Sequence, residues 1–291
     1  MIYWLHRAGS LLSAVLPRGV AYRLVELLAG PALMFYRPHY RNAVRNMVQL
    51  LGPGAGDNEA RRLVDRVFKN YGKYMADLLR LPRVPLGQIH RSIVTYGVES
   101  VDQGLVHGRG LIMVSAHIGN WDLAAAALAS LGYPVNAIVD TLQPARWNDE
   151  VQTIRRRLGI TAIPIEAGVK EMLRCLRRNE VLCIMIDRPL NGDGVTVRFF
   201  DTETQVPAGA ATLALRTGAS IVPAVVVREG DYYIAHVGQV IGIESTGDRA
   251  RDVQTLTQRF MSQFEAWIRM YPDQWFMFRD MWPTLAAPRS P

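Results

Sequence analysis

The chain has 291 residues, of which 49% are hydrophobic and 20% are charged, a composition that excludes a disordered protein and is typical of a globular one. Its two cysteines, Cys175 and Cys183, have no C-x-x-C spacing and no neighbouring histidine cluster. They argue against a zinc site or a disulfide scaffold and suit a reducing cytosol. The 33 basic and 26 acidic residues give a formal charge of +7, which fits an anionic partner such as nucleic acid, a phosphorylated ligand or an acidic membrane surface.

The first 30 residues, MIYWLHRAGSLLSAVLPRGVAYRLVELLAG, lack the basic start and the clean apolar stretch of a signal peptide. Polar residues and Pro17 interrupt every window of the length, about 20 apolar residues, that a helix needs to span a bilayer. Two short amphipathic helices lying in a membrane interface fit this pattern. Helices that cover the core of a soluble domain fit it as well.

The pattern up to about residue 85 is helical. Apolar residues between 57 and 80 keep helical spacing, with Asp57 or Asn58 as the cap. Basic residues form two stripes, Arg37, Arg41 and Arg45 in one and Arg62, Arg66, Lys69 and Lys73 in the other. Such charge is ordinarily a solvated helix face, but beside an apolar N-terminus it favours contact with anionic lipid headgroups. No helix-turn-helix or glycine–aromatic motif accompanies the stripes, which disfavours binding of DNA or RNA.

From about residue 91 the pattern changes to short strands that alternate with helices. Apolar runs predict strands at 111–114, 135–139, 161–165, 181–186 and 221–227, and helical patterns fall at about 120–131, 147–158, 167–178, 208–217 and 249–270. Gly132, Gly159 and Gly218 follow three of these helices, where a C-terminal cap is expected. The segments 195–200 and 232–241 have the pattern of antiparallel additions to the sheet.

This alternation predicts an α/β fold with a mainly parallel central sheet flanked by helices. Residues 1–85 are predicted to form a helical N-terminal region that packs on the core and associates with the membrane. Residues 86–291 are predicted to form the α/β core, and the two parts together make one structural domain.

The stretch LIMVSAHIGNWDL, residues 111–123, places His117 at the carboxyl end of a predicted strand, where parallel α/β sheets bind their ligands. Asn120 is predicted to cap the following helix and Asp122 to lie in its first turn. A reversal through Gly119 would bring the Asp122 carboxylate to the imidazole Nδ1–H and leave Nε2 as a general base. No nucleophile stands beside the pair, so the chemistry that fits is attack of a deprotonated hydroxyl on an activated acyl group. The alternative is a core histidine beside an aspartate at a helix start.

The segment 187–225 supplies candidate anion contacts. They are Arg188, Arg198 and Arg216, with Glu203 as a residue that orients one of the arginines. A surface or structural ion pair is the alternative for each arginine. Asp187 and Asp193 are interpreted as residues of a turn rich in Asn, Gly and Asp rather than as paired carboxylates.

Three motifs carry a resemblance to a known family: HIGNWD at 117–122, FFDTETQVPAGAATLALRTGASIVP at 199–223 and YPDQWFMFRDMWP at 271–283. From about Arg41 to its C-terminus the chain resembles the lysophospholipid acyltransferase superfamily. The narrower resemblance is to the bacterial lipid A lauroyl/myristoyl acyltransferases and the related phosphatidylinositol mannoside acyltransferases. It implies that His117 is the general base and Asp122 its orienting partner. Residues carried over from the second motif and its surroundings are Arg188, Glu203 and Pro207-Ala208-Gly209.

The resemblance implies a protein peripheral to the cytoplasmic face of the bacterial inner membrane. It also implies an acyl thioester donor, acyl-ACP or acyl-CoA, and a hydroxyl acceptor on a lipid A-like or phosphatidylinositol mannoside-like glycolipid, with no metal and no cofactor besides the donor. The expected substrate-binding residues are Arg188, Arg198, Glu203, Asn120, Trp121 and Arg216. Trp121 is expected to wall the acyl channel or to fill the core.

Two other functions stay open. A lysophospholipid acyltransferase of phospholipid synthesis is disfavoured because the chain has no Phe-Pro-Glu-Gly-Thr type stretch, which is usual in that branch. A membrane-surface binding protein without catalysis is disfavoured because His117 and Asp122 are both present.

Overall fold

A computed structural model describes residues 16–33, 36–188, 194–243 and 245–283 of the chain. The helices are α1 (Arg18–Leu33), α2 (Arg37–Leu51), α3 (Asp57–Arg80), α4 (Leu86–Ile89), α5 (Glu99–Leu105), α6 (Trp121–Ser130), α7 (Ala145–Arg157), α8 (Val169–Arg177), α9 (Gly209–Thr217) and α10 (Arg249–Met270). The strands are β1 (Ile93–Tyr96), β2 (Leu111–Ser115), β3 (Val135–Val139), β4 (Ile160–Pro164), β5 (Val181–Met185), β6 (Val195–Phe199), β7 (Thr202–Val206), β8 (Ser220–Glu229) and β9 (Tyr232–Val237).

Seven of the strands in the described ranges form one sheet in the order β1-β9-β8-β2-β5-β3-β4. The five strands from β8 to β4 run parallel to one another, because helices carry the chain back between them. The central strand β2 is apolar along most of its length and is buried between β8 and β5. The predicted α/β fold with a mainly parallel sheet is confirmed.

Both predicted segments pair antiparallel, but only the one at 232–241 joins the main sheet, and the expectation that 195–200 would do so is wrong. Strand β9 pairs antiparallel with β8 at one side of the sheet, and β6 pairs antiparallel with β7 in a separate hairpin. The predicted glycine caps adopt left-handed backbone angles, with φ of 93° at Gly132, 76° at Gly159 and 71° at Gly218. Glycine is suited to these positions because it has no Cβ to clash there.

The helices before the sheet pack against it through a shared hydrophobic cluster that includes Met47 of α2 and Val67 of α3 as well as the strands. Helix α1 lies close on α3, where a Cβ placed on Gly72 would meet the side chain of Val25 at 2.4 Å. No helix within the described ranges is long and apolar enough to cross a bilayer. The first of the two predicted amphipathic helices falls mostly on residues 1–15, outside the described residues, and the membrane-associating role of this region stays a prediction.

Candidate functional site

The site lies at the carboxyl edge of the sheet, where two neighbouring parallel strands end. Strand β2 ends at Ser115 and strand β5 at Met185, and these two residues are partners in the strand register. The chain continues to His117 after β2 and to Asp187 after β5. Their side chains therefore meet, with 2.6 Å between the imidazole Nδ1 of His117 and Oδ1 of Asp187.

The Asp187 carboxylate is fully buried and is satisfied by three donors. Oδ1 accepts the imidazole Nδ1–H, and Oδ2 accepts the backbone N–H of His117 at 2.9 Å and the indole N–H of Trp275 at 3.0 Å. Burial alone would raise the pKa of Asp187, but the charge of His117 and these hydrogen bonds lower it below its ordinary value. The site thus favours an ionised carboxylate despite its burial.

An ionised carboxylate beside Nδ1 determines the tautomer of His117. A carboxylate only accepts hydrogen bonds, so the proton of the neutral imidazole lies on Nδ1 and the lone pair on Nε2. Nε2 makes no hydrogen bond with any residue that the structure describes. This geometry leaves Nε2 able to accept a proton, as a general base does.

The predicted hydrogen bond between Asp122 and His117 is wrong. The Asp122 carboxylate, 3% exposed, accepts the Nε–H of Arg155 at 2.7 Å and the hydroxyl of Tyr74 at 2.7 Å. Because α3 and α7 supply both of these donors, Asp122 is held towards the two helices, while Nδ1 of His117 is occupied by Asp187. Asp122 thus ties the first turn of α6 to its neighbours.

Gly119 is required by close packing against β8. Its φ is 66°, and a Cβ at this position would meet the carbonyl oxygen of Val226 at 2.0 Å. The backbone on either side is fixed as well, since the N–H of Gly119 donates to the carbonyl of Gln274 and that of Asn120 to the carbonyl of Val226. Gly119 therefore allows the turn to pack closely on the sheet. The expectation from the sequence that it brings Asp122 back to the imidazole is wrong.

The closing segment of the chain passes beside this turn. The backbone N–H of Phe276 donates to the carbonyl of His117 at 2.7 Å, and Ile118 forms an antiparallel bridge with Trp275. This pairing brings the indole of Trp275 to the Asp187 carboxylate. The sequence indicated the segment only through its resemblance and assigned no role to Trp275.

Trp121 lies next to the imidazole. Its ring is 5.3 Å from that of His117 in an edge-on arrangement, 4.4 Å from that of Tyr74 and 6.1 Å from that of Phe276. The indole is half-buried, so it forms an apolar wall on one side of the base. An apolar wall excludes water and suits an acyl chain.

Asn120 caps α6 as predicted. Its Oδ1 accepts the backbone N–H of Leu123 at 2.9 Å, and its Nδ2 lies 3.5 Å from the hydroxyl of Tyr233. The side chain is 1% exposed, so both ends of the amide are used inside the protein. Asn120 therefore has a structural role, as the cap of the helix that follows His117.

The predicted anion-binding residues are spread over the molecule. Arg188 follows Asp187 directly and is ion-paired with Asp140. Arg198 and Glu203 are exposed and lie opposite each other on the β6–β7 hairpin, and Arg216 is exposed in the last turn of α9. Within the described residues none of these side chains contacts His117 or Asp187, and only Arg188 adjoins the pair in the chain.

Neither thiol offers an alternative nucleophile. Burial, with a smaller contribution from Glu180, raises the pKa of Cys175 to about 12, and burial raises that of Cys183 to about 12. A thiol with so high a pKa carries little of the reactive thiolate at neutral pH. The described residues contain no group of three His, Cys, Asp or Glu side chains placed to hold a metal ion.

Comparison with known proteins gives one family. The model of the bacterial lipid A biosynthesis acyltransferases matches residues 1–284. The phosphatidylinositol mannoside acyltransferase of Mycolicibacterium smegmatis is 28% identical over 242 residues, which cover 82% of this chain and 78% of that protein. The enzyme of the same name from Mycobacterium tuberculosis is 29% identical over 245 residues, 82% of this chain and 75% of its own length. The similarity extends far beyond the HIGNWD motif.

Proposed function

Since this chain belongs to the bacterial lipid A biosynthesis acyltransferase family and is an acyltransferase, we propose that it transfers a fatty acyl group from an acyl thioester to a hydroxyl of a membrane glycolipid. The donor is acyl-ACP or acyl-CoA. The acceptor is a lipid A-like or phosphatidylinositol mannoside-like glycolipid, a class supported by the names of the family and of the two mycobacterial relatives.

The proposed reaction uses His117 as the general base. Nε2 removes the proton of the acceptor hydroxyl while the oxygen attacks the thioester carbonyl carbon. The carbon–sulfur bond then breaks, and the imidazolium returns the proton to the departing thiolate, so that an ester and a free thiol are formed. Asp187 holds the imidazole in place and stabilises its charged form during the step.

The observation that carries this proposal is the 2.6 Å contact between Nδ1 of His117 and the buried Asp187 carboxylate. It leaves Nε2 as the basic atom, at the edge of the sheet where ligands bind in such folds. In this mechanism Asp187 has the orienting role that was expected of Asp122 from the sequence. Asp122 supports the reaction indirectly, by holding α6 to Arg155 and Tyr74.

Direct transfer, without an acyl-enzyme, is the form of the reaction that the site supports. Ser115 lies two residues before His117 on β2, and its hydroxyl is 3.4 Å from the carbonyl of Ala116. Both thiols are kept protonated by burial. A base without a neighbouring nucleophile favours activation of the acceptor itself.

We extend the proposal to the membrane. Helix α1 exposes Val20, Leu24, Leu27 and Leu28, and the basic residues Arg41 and Arg45 of α2 are exposed too. Apolar side chains that enter the interface and cations that meet anionic headgroups are the two components of peripheral binding. Residues 1–85 would thus hold the core, residues 86–291, on the cytoplasmic face of the inner membrane.

Arg188 is the arginine that we assign to the phosphate of a substrate, because it adjoins Asp187. Its partner Asp140 is exposed and able to exchange for a ligand. Arg198, Glu203 and Arg216 remain predicted substrate contacts at the exposed rim of the protein, and Trp121 walls the acyl chain.

The test is an acyl-transfer assay with matched acceptors. Purified protein is supplied with acyl-ACP or acyl-CoA and with phosphatidylinositol mannoside, a lipid A precursor or lysophosphatidic acid, and the acylated product and the released thiol are both measured. We expect ester formation on a glycolipid. Transfer to lysophosphatidic acid alone would support the phospholipid alternative, and binding to vesicles without thiol release would support the non-catalytic one. Mass analysis of lipids from cells that lack the protein identifies the acyl chain.

A further inference from the structure

Helix α3 carries a further buried carboxylate, Asp77, which the proposed chemistry does not use. It is 7% exposed, and it accepts the hydroxyl of Tyr22 at 2.5 Å and that of Tyr233. Nε of Arg18 lies 3.6 Å from its other oxygen. A buried carboxylate is costly unless donors surround it, so these three partners define one arrangement of α1, α3 and β9.

The aromatic ring of Tyr22 provides a second set of contacts that holds α1 against the rest of the molecule. The cations of Arg18, Lys73 and Arg228 lie 5.1, 5.6 and 5.1 Å from the centre of its ring. Cation–π contacts of this kind are attractive, and more strongly so where water is excluded. The hydroxyl on Asp77 and the ring among cations together hold α1 firmly.

The same face of α3 also contacts the start of α6, near His117. Tyr74 precedes Asp77 by three residues, so both side chains lie on one side of the helix. Tyr74 donates its hydroxyl to Asp122, and its ring lies 4.4 Å from that of Trp121 in a tilted arrangement. The hydroxyl of Tyr233, which is bonded to Asp77, lies 3.5 Å from Nδ2 of Asn120. Asn120 caps α6, and the two residues Ile118 and Gly119 separate it from His117. Helix α3 contacts this helix start through Tyr74 directly and through Asp77 by way of Tyr233.

We propose that Asp77 is a positioning residue for acyl transfer, which joins the lipid-facing helix α1 to the cap of α6 and thereby holds His117 in place. The inference rests on the proposed function. Tyr22 and Tyr233 are the two arms of this connection, one towards α1 and the other towards Asn120. The outer side of α1 exposes apolar residues. A lipid that binds there therefore affects the position of His117 through Asp77 and its two tyrosine partners.

Both hydroxyls serve as donors throughout the physiological range. Burial, followed by the charge of Asp77, raises the pKa of Tyr233 to about 12. Burial, followed by the neighbouring Tyr233 and Asp77, raises the pKa of Tyr22 further. The two tyrosine hydroxyls therefore stay protonated at neutral pH, and their loss requires a substitution.

The first test compares Asp77→Asn with Asp65→Asn. Asp65 is a matched control, because it lies on the same helix and also accepts a tyrosine hydroxyl, that of Tyr40 at 3.1 Å, at the contact with α2. We expect Asp77→Asn to lower kcat per folded molecule about 10-fold or more, since small displacements of a catalytic group are costly, with the acyl-donor KM changed less than about 2-fold. Asp65→Asn is expected to keep the wild-type kcat. The folded fraction is measured by thermal unfolding followed by circular dichroism.

The second test is a double-mutant cycle on kcat with Tyr233→Phe, which keeps the ring and removes one hydroxyl. If Asp77 acts through Tyr233, the double variant is expected to be no slower than Asp77→Asn alone. Multiplicative losses, an unchanged kcat in either single variant, or an equal loss in Asp65→Asn would overturn the inference. A wild-type protein that forms no ester would instead refute the proposed function, so the two failures are distinguishable. Should Asp77→Asn not fold, the kcat of Tyr233→Phe decides alone.

Discussion

His117 and Asp187 are separated by 70 positions in the chain, yet their side chains make a 2.6 Å contact because the strands that precede them are neighbours in the sheet. Asp122, only five residues from the histidine, is bound instead to Arg155 and Tyr74. Strand order, rather than spacing along the chain, decides which carboxylate contacts the imidazole.

Replacement of His117 removes the base. We expect His117→Ala to lower the rate of acyl transfer at least about 10³-fold while the protein stays folded, because general-base catalysis contributes about 10²–10⁴-fold. The rate is measured as thiol release with acyl-CoA and glycolipid, and folding by circular dichroism. His107→Ala, at an exposed position, is the matched control and is expected to keep the wild-type rate. Near wild-type turnover in His117→Ala would refute the mechanism.

The ion pair between Asp122 and Arg155 is expected to affect stability. Arg155→Met leaves the nearly buried Asp122 carboxylate without its cation, so we expect a loss of about 3 kcal/mol in the free energy of unfolding. The double variant Asp122→Asn/Arg155→Met removes both charges and is expected to recover part of that loss. Urea unfolding measures the free energy of unfolding of the single and the double variant. Strictly additive losses would show that the two side chains do not act as a pair.

Substitution of Gly119 tests how closely the turn after His117 packs against β8. Gly119→Ala combines a left-handed backbone with a clash against the carbonyl of Val226, so we expect a loss of about 3 kcal/mol. Gly108→Ala has a similar φ, 68°, but meets nothing within 4 Å, and is expected to cost about 1 kcal/mol from the backbone alone. Equal losses in the two variants, measured by urea unfolding, would argue against the close contact with β8.

The fold was predictable because its determinants are local. Apolar runs of strand length alternate with helical patterns from 111 to 227, and glycines such as Gly132 end the helices. These signals depend only on neighbouring residues, so hydrophobic periodicity identifies them. The cap at Asn120 and the position of His117 at a strand end were predictable for the same reason.

The partner of His117 was not predictable in the same way, because it depends on which strands pair. Asp187 had the signal that His117 had, a polar residue directly after an apolar strand, but its neighbours suggested a turn. Only the adjacency of β2 and β5 brings the two together. Three further side chains come from distant parts of the chain, and no local sequence pattern relates them to the site. They are Tyr74, Arg155 and Trp275.

The acid stability of the protein is expected to depend on Asp187. Its pKa is lowered on folding, so the stabilisation from its charged form is complete above the unfolded-state value of about 3.9 and is lost as the pH falls through the lower folded value. The difference in free energy of unfolding between wild type and Asp187→Asn should therefore shrink between about pH 4 and pH 2. Urea unfolding at successive pH values measures it. A difference that grows over this range would contradict the lowered pKa.

The pairing of His117 with Asp187 is tested most directly by the kcat of Asp187→Asn relative to Asp122→Asn. An asparagine at 187 keeps the shape of the side chain but no longer fixes the proton on Nδ1, and the equivalent change in a Ser-His-Asp triad lowers kcat about 10⁴-fold. We expect kcat per folded molecule to fall about 10³-fold or more in Asp187→Asn, and about 10-fold or less in Asp122→Asn. The reverse order, or a kcat of Asp187→Asn within about 10-fold of the wild type, would contradict the assignment of Asp187 as the residue that orients the base.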